Sequence, residues 1–78
     1  MARLRLFAQA RECAGTAEAD LPGTTVGEVI RAAVARYGER LDPVIQMSAI
    51  WVNGEPADEN TPVADGDEVA VLPPVSGG

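Results

Sequence analysis

The chain ends in Leu72-Pro73-Pro74-Val75-Ser76-Gly77-Gly78, and its most usable reactive group is the carboxylate of Gly78. Two successive glycines carry no Cβ, so they can pass a narrow channel and present an unhindered acyl carbon. Pro73 and Pro74 fix φ behind them and hold the approach extended, with few states to lose on docking. A free carboxylate is a poor electrophile, so a second protein has to activate it, most simply as an acyl-adenylate. Glycine-rich ends are also common as plain flexible tails, and the rest of the chain has to separate the two readings.

Elsewhere the side chains offer little for catalysis. There is no histidine, and all six basic residues are arginine (Arg3, Arg5, Arg11, Arg31, Arg36 and Arg40), so the commonest general base and every lysine chemistry are missing. Cys13 is the single cysteine; it excludes an internal disulfide, fits a reducing compartment and reads as a small packing residue. Asp65, Asp67 and Glu68 cluster near a turn but lack the spacing of a calcium loop, so they read as solvated turn residues or as a docking surface for a basic partner. Arg11 and Glu12 read as a solvated pair. No metal site is expected. Twelve acidic residues against six basic ones give a net charge of −6, which argues against nucleic acid and anionic membrane and favours a basic protein partner. No apolar run approaches membrane-spanning length, the start of the chain does not read as a signal peptide, and the cytoplasm is the expected location.

The elements that must position the tail follow from periodicity. Hydrophobic residues are 46% of the 78, enough for one small domain. Arg3 to Phe7 alternates with Leu4 and Leu6 inward, Ala8 to Gly15 reads as a turn region, and Thr16 to Leu21 alternates again as a hairpin partner. Thr25 with Glu28 forms a capping box ahead of Val26, Val29, Ile30, Ala33, Val34 and Tyr37, one apolar helical stripe ended at Gly38. In 39–47, Leu41 is a candidate core anchor and Pro43 is expected to interrupt any second helix. Ser48 to Asn53 reads as a strand, Asn53-Gly54 as a tight turn, Pro56 to Asp58 as a short return strand suited to an edge, and Glu68 to Leu72 as the last strand.

This order predicts an α+β, β-grasp fold: a mixed sheet with one main helix packed on one face. The domain spans 1–72 and a functional tail 73–78. With the last strand beside the first, the tail leaves from the middle of the sheet, and its six residues can reach about 20 Å. Phe7, Trp51, Ala70 and Leu72 share the opposite parity to the core, so an uncovered sheet face would carry them as an apolar patch for a partner. The competing reading has Trp51 merely shielding the sheet or packing under residues 39–48.

Three segments resemble one family. Leu6-Phe7-Ala8-Gln9-Ala10-Arg11-Glu12 with Gly15-Thr16, Ala64-Asp65-Gly66-Asp67-Glu68-Val69-Ala70, and Leu72-Pro73-Pro74-Val75-Ser76-Gly77-Gly78 are similar to the ubiquitin-like sulfur carriers (MoaD/ThiS), above all to their molybdopterin-synthase small-subunit branch. The resemblance implies a non-catalytic protein with no permanently bound cofactor. An ATP-dependent adenylyltransferase would form a transient acyl-AMP on Gly78, and a sulfur donor would convert it to a thiocarboxylate. In that branch the tail inserts into the large synthase subunit, in a heterotetramer of two small and two large subunits, and its sulfur builds the molybdopterin dithiolene. Gly78 would then be the reacting position and Gly77 the access residue, with Phe7, Trp51, Leu72, Pro73, Pro74, Val75 and Ser76 meeting the partner. The same chemistry serves thiamine, tRNA thiolation and cysteine synthesis. Two other classes stay open: a ubiquitin-like protein modifier, and an interaction module with an idle tail.

Overall fold

The computed structural model describes residues 1–74. Its five-stranded sheet is set by which residues tolerate burial. β1 (Ala2–Leu6) and β5 (Glu68–Leu72) alternate strictly, and Leu4, Leu6, Val69 and Val71 are fully or almost fully buried. These two strands pair in parallel at the centre. β2 (Glu18–Leu21) flanks β1, β3 (Ala49–Val52) flanks β5 and β4 (Glu55–Ala57) forms the far edge, all antiparallel, in the order β2-β1-β5-β3-β4. This mixed sheet with helices is the expected β-grasp arrangement, with the tail leaving from a central strand.

The main helix, α2 (Val26–Tyr37), lays Val26, Val29, Ile30 and Ala33 on the inner sheet face. Its start keeps the Thr25 half of the expected capping box, but the Glu28 carboxylate reaches back one residue further, to Thr24 and not to the Thr25 N–H. The Thr25 hydroxyl accepts from the Glu28 N–H at 3.2 Å, while the Glu28 carboxylate takes the N–H and hydroxyl of Thr24 at 2.7 and 2.9 Å. The two N–H groups before it, on Val26 and Gly27, donate at 2.9 Å to the carbonyls of Thr61 and Glu59. The first turn therefore keeps no free donor of the kind that binds anions.

Two sequence expectations are corrected. Residues 8–15 are not a turn region: α1 (Ala8–Ala14) fills them, closed by Gly15 at φ 78°. Ala, Gln, Arg and Glu are strong helix formers, and α1 needs only Ala10 fully buried, so its apolar face is too short to show as a stripe. Nor does Pro43 prevent a second helix. It is the third residue of α3 (Leu41–Gln46), inside the first turn, where its missing N–H has no intrahelical acceptor to lose. Leu41 is the core anchor expected of it and is fully buried. At the other end of the sheet, Asn53 (φ 50°) and Gly54 (φ 83°) make the tight β3–β4 turn. Pro56 lies on the edge strand, opposite Trp51.

Candidate functional site

Because β1 and β5 are parallel, their C-terminal ends lie at the same end of the sheet. The start of α1 therefore sits beside the root of the tail. The Phe7 N–H donates to the Val71 carbonyl at 3.3 Å, and α1 packs on β5. Ala8 enters α1 at φ 50°, an uncommon angle for a residue with a Cβ, as the chain bends sharply off β1. Alternation continues past β5: Pro73 is buried within this chain and Pro74 is exposed. The tail root is thus held by packing and backbone hydrogen bonding. Val75, Ser76, Gly77 and Gly78 lie outside the described residues.

The sheet face opposite α2 divides into two halves. One is an ionic lattice: Arg3 pairs with Glu18 (3.5 Å) and Asp20 (3.4 Å), and Arg5 with Glu18 (3.8 Å) and Glu68 (3.7 Å). All five side chains are substantially exposed, so the pairs contribute little to stability; their effect is to occupy that half of the face with matched charge. The other half is apolar and lies at the tail end. Trp51 stands directly opposite Ala70 on β5 and Pro56 on β4, and Ala49 stands opposite Leu72. Trp51 and Phe7 are each 37% exposed and Leu72 36%, so the structure brings together the three partner-facing residues expected of the sheet. α3 packs on α1 and α2, and Trp51 shares a hollow with Gln46 and Ser48 while keeping its exposed part on the open face. The Arg5 guanidinium lies 5.5 Å from the Phe7 ring centroid and joins the two halves.

At the opposite end of the sheet, the acidic turn has a structural role. Asp67 accepts from the Ala64 N–H at 2.8 Å and from the Asn53 amide at 3.1 Å, which hold its carboxyl below the usual range. Asn53 accepts in turn from the Glu68 N–H at 3.0 Å, so this cluster ties the start of β5 to β3. The exposed Asp65 carboxylate pairs with the Met1 amino group. Among the described residues, no group of three His, Cys, Asp or Glu side chains is placed to hold a metal. Nor is any helix long and apolar enough to cross a membrane. Cys13 is half-buried on α1 against the core.

Sequence reasoning missed α1 as the support of the tail root. The signal available was its run of helix-forming residues between Phe7 and Gly15.

Comparison with known proteins places this geometry. The model of the ThiS family matches residues 4–78. Among solved structures, small archaeal modifier protein 1 (SAMP1) from Methanosarcina acetivorans is 33% identical, with a TM-score of 0.87 over 99% of this chain and 95% of that one. A chain from the complex of subunits 1 and 2 of molybdopterin-converting factor from Helicobacter pylori is 29% identical, with a TM-score of 0.70 over 99% and 97%. CysO of Mycobacterium tuberculosis is 25% identical, with a TM-score of 0.82 over 96% and 100%.

Proposed function

Since the chain belongs to the ThiS family of ubiquitin-like sulfur carriers, we propose that it bears a thiocarboxylate on Gly78 and donates that sulfur to form the dithiolene of molybdopterin. The observation that carries the reading is the pairing of a tail launched from a central strand with an apolar half-face beside its root. The domain contributes rigidity and recognition, and the reacting group is at the end of the chain.

The chemistry runs through partners. A Gly78 carboxylate oxygen attacks the α-phosphorus of ATP on an adenylyltransferase, and pyrophosphate leaves. Hydrosulfide from a sulfur donor then attacks the acyl carbon, the C–S bond forming as the C–O bond to AMP breaks, and the thiocarboxylate remains. A thioacid is ionised at neutral pH, and its sulfur is a far better nucleophile than a carboxylate oxygen. Docking of Phe7, Trp51 and Leu72 makes delivery effectively intramolecular within the complex, with Pro73 and Pro74 aiming the tail and Val75 and Ser76 meeting the partner. The molybdopterin branch is supported by the Leu-Pro-Pro-Val-Ser-Gly-Gly ending and by the likeness to the Helicobacter pylori chain, which is complexed with a second subunit. The partner on this reading is the large synthase subunit, in a heterotetramer of two small and two large subunits.

A second reading is favoured by the 33% identity to small archaeal modifier protein 1: the activated Gly78 is attacked by an amine on a target protein. Intact mass after incubation with adenylyltransferase, ATP and a sulfur donor separates the two. Sulfur carriage gives one oxygen-to-sulfur exchange on the full chain, lost on deletion of Gly77 and Gly78. Target adducts without that exchange establish the modifier, and copurification with a thiazole synthase in place of the large synthase subunit moves the product to thiamine.

A further inference from the structure

Around the β4 edge the open face continues into a concavity on the helical side. A hollow of about 500 Å³ has Ile30, Ile45 and Ile50 in its lining, with Trp51 and Pro56 at the lip shared with the open face. A second hollow of about 190 Å³ adjoins it through Ile30, Gln46 and Glu59, so the two form one groove between α2, α3 and the segment after β4. Three carboxylates edge it, Asp42, Asp58 and Glu59, against the single cation Arg31. None of them takes part in an ion pair among the described residues. Among the described residues Asp42 accepts only the Gln46 amide at 3.3 Å, whereas Asp58 accepts from the Asn60 N–H and the Thr61 hydroxyl in its own turn.

The edge itself narrows what can bind. Val52 and Glu55 flank the two-residue turn and form its hydrogen-bonded pair, so Trp51 and Pro56 form a non-hydrogen-bonded pair and the Pro56 nitrogen faces away from β3. That nitrogen carries no hydrogen. The next outward N–H, on Asp58, donates to the Thr61 hydroxyl at 3.1 Å. β4 therefore offers an added strand no free donor, and an occupant of the groove has to be read through its side chains.

We propose that the groove is a docking site for a segment of the activating adenylyltransferase that carries an apolar anchor flanked by lysine or arginine. Ile30 and Ile45 are buried and form the floor, so the anchor meets Ile50, Trp51, Pro56 and Ala57, and the unpaired carboxylates take the cations. Trp51 and Pro56 make the site continuous with the open-face patch, so one partner body covers both while the tail enters its active site. Acidic rim charges of this kind mainly raise the association rate, which suits a carrier that must bind, be activated and leave. The inference rests on activation by such an enzyme, as argued above.

The test is titration of the full chain with the adenylyltransferase at two salt concentrations, comparing Glu59→Lys with Asp20→Lys. Both substitutions change the charge equally, but Asp20 is on β2, at the opposite edge of the sheet. Glu59 holds α2 through its main-chain carbonyl, which the substitution keeps, and the isosteric Glu59→Gln provides a milder variant. The expected result is about fivefold or greater weakening for Glu59→Lys with a flatter salt dependence, a smaller loss for Glu59→Gln, and Asp20→Lys within about twofold of wild type. Equal losses at both edges would show an effect of net charge alone and overturn the groove, as would wild-type affinity in both Glu59 variants. A wild-type chain that neither binds the enzyme nor gains sulfur removes the functional reading itself, a separate outcome.

Discussion

Replacing Trp51 by alanine tests the apolar half-face most directly. The residue keeps 37% of its surface exposed in the free domain. With about 250 Å² for a tryptophan side chain, about 90 Å² is left for a partner to cover. At about 25 cal/mol per Å² that area is worth about 2.3 kcal/mol, or roughly 50-fold in Kd. The buried remainder packs over the neighbouring strands, opposite Ala70 and Pro56, and its loss lowers domain stability by about 1 kcal/mol. Affinity is therefore to be measured well below the melting transition, by calorimetric titration against the large synthase subunit, with Trp51→Phe as the partial-area control. The expected order is wild type, then Trp51→Phe, then Trp51→Ala, with the alanine variant weakened by more than about tenfold. A folded Trp51→Ala domain binding within about threefold of wild type would refute the assignment of this face to the partner.

Two further outcomes follow from local geometry. Thr25→Ala removes the hydroxyl that caps the Glu28 N–H and is expected to cost about 1 kcal/mol in denaturant unfolding, with unchanged partner affinity, because the cap lies away from the tail root. Acid stability depends on Glu28 and Asp67. The Thr24 N–H, then the Thr24 hydroxyl and Arg31, hold the Glu28 carboxyl below its ordinary 4.5; the Ala64 N–H, then the Asn53 amide, hold Asp67 below 3.8. Both groups bind protons more readily unfolded, so their stabilisation is fully present above the ordinary values and is lost as pH falls through the lowered folded ones. Melting temperature should therefore drop as pH falls below about 4.5, and Asp67→Asn should flatten that drop.

Local rules made much of this domain legible. Alternation in 3–7 and 68–72, the stripe from Val26 to Tyr37 and the Asn53-Gly54 turn each depend on a few neighbouring residues, and each formed as read. The exposed parity of Phe7, Trp51 and Leu72 was readable for the same reason. Reading failed where local cues were weak. The seven residues of α1 bury only one side chain fully, so composition outweighed periodicity there. At Pro43, position within the helical turn decided the outcome more than the residue type.

Strand and helix faces were thus readable from residue order alone, because side-chain period and residue type are properties of short segments. Long-range pairing sets β1 and β5 parallel and brings α1 and Phe7 beside the tail root. Tertiary packing also divides the open face into an ionic and an apolar half, and joins Ile30, Ile45 and Ile50 with Asp42 and Glu59 around one groove. These arrangements depend on strand order and on the packing of residues far apart in the chain, and no segment of the sequence encodes them alone.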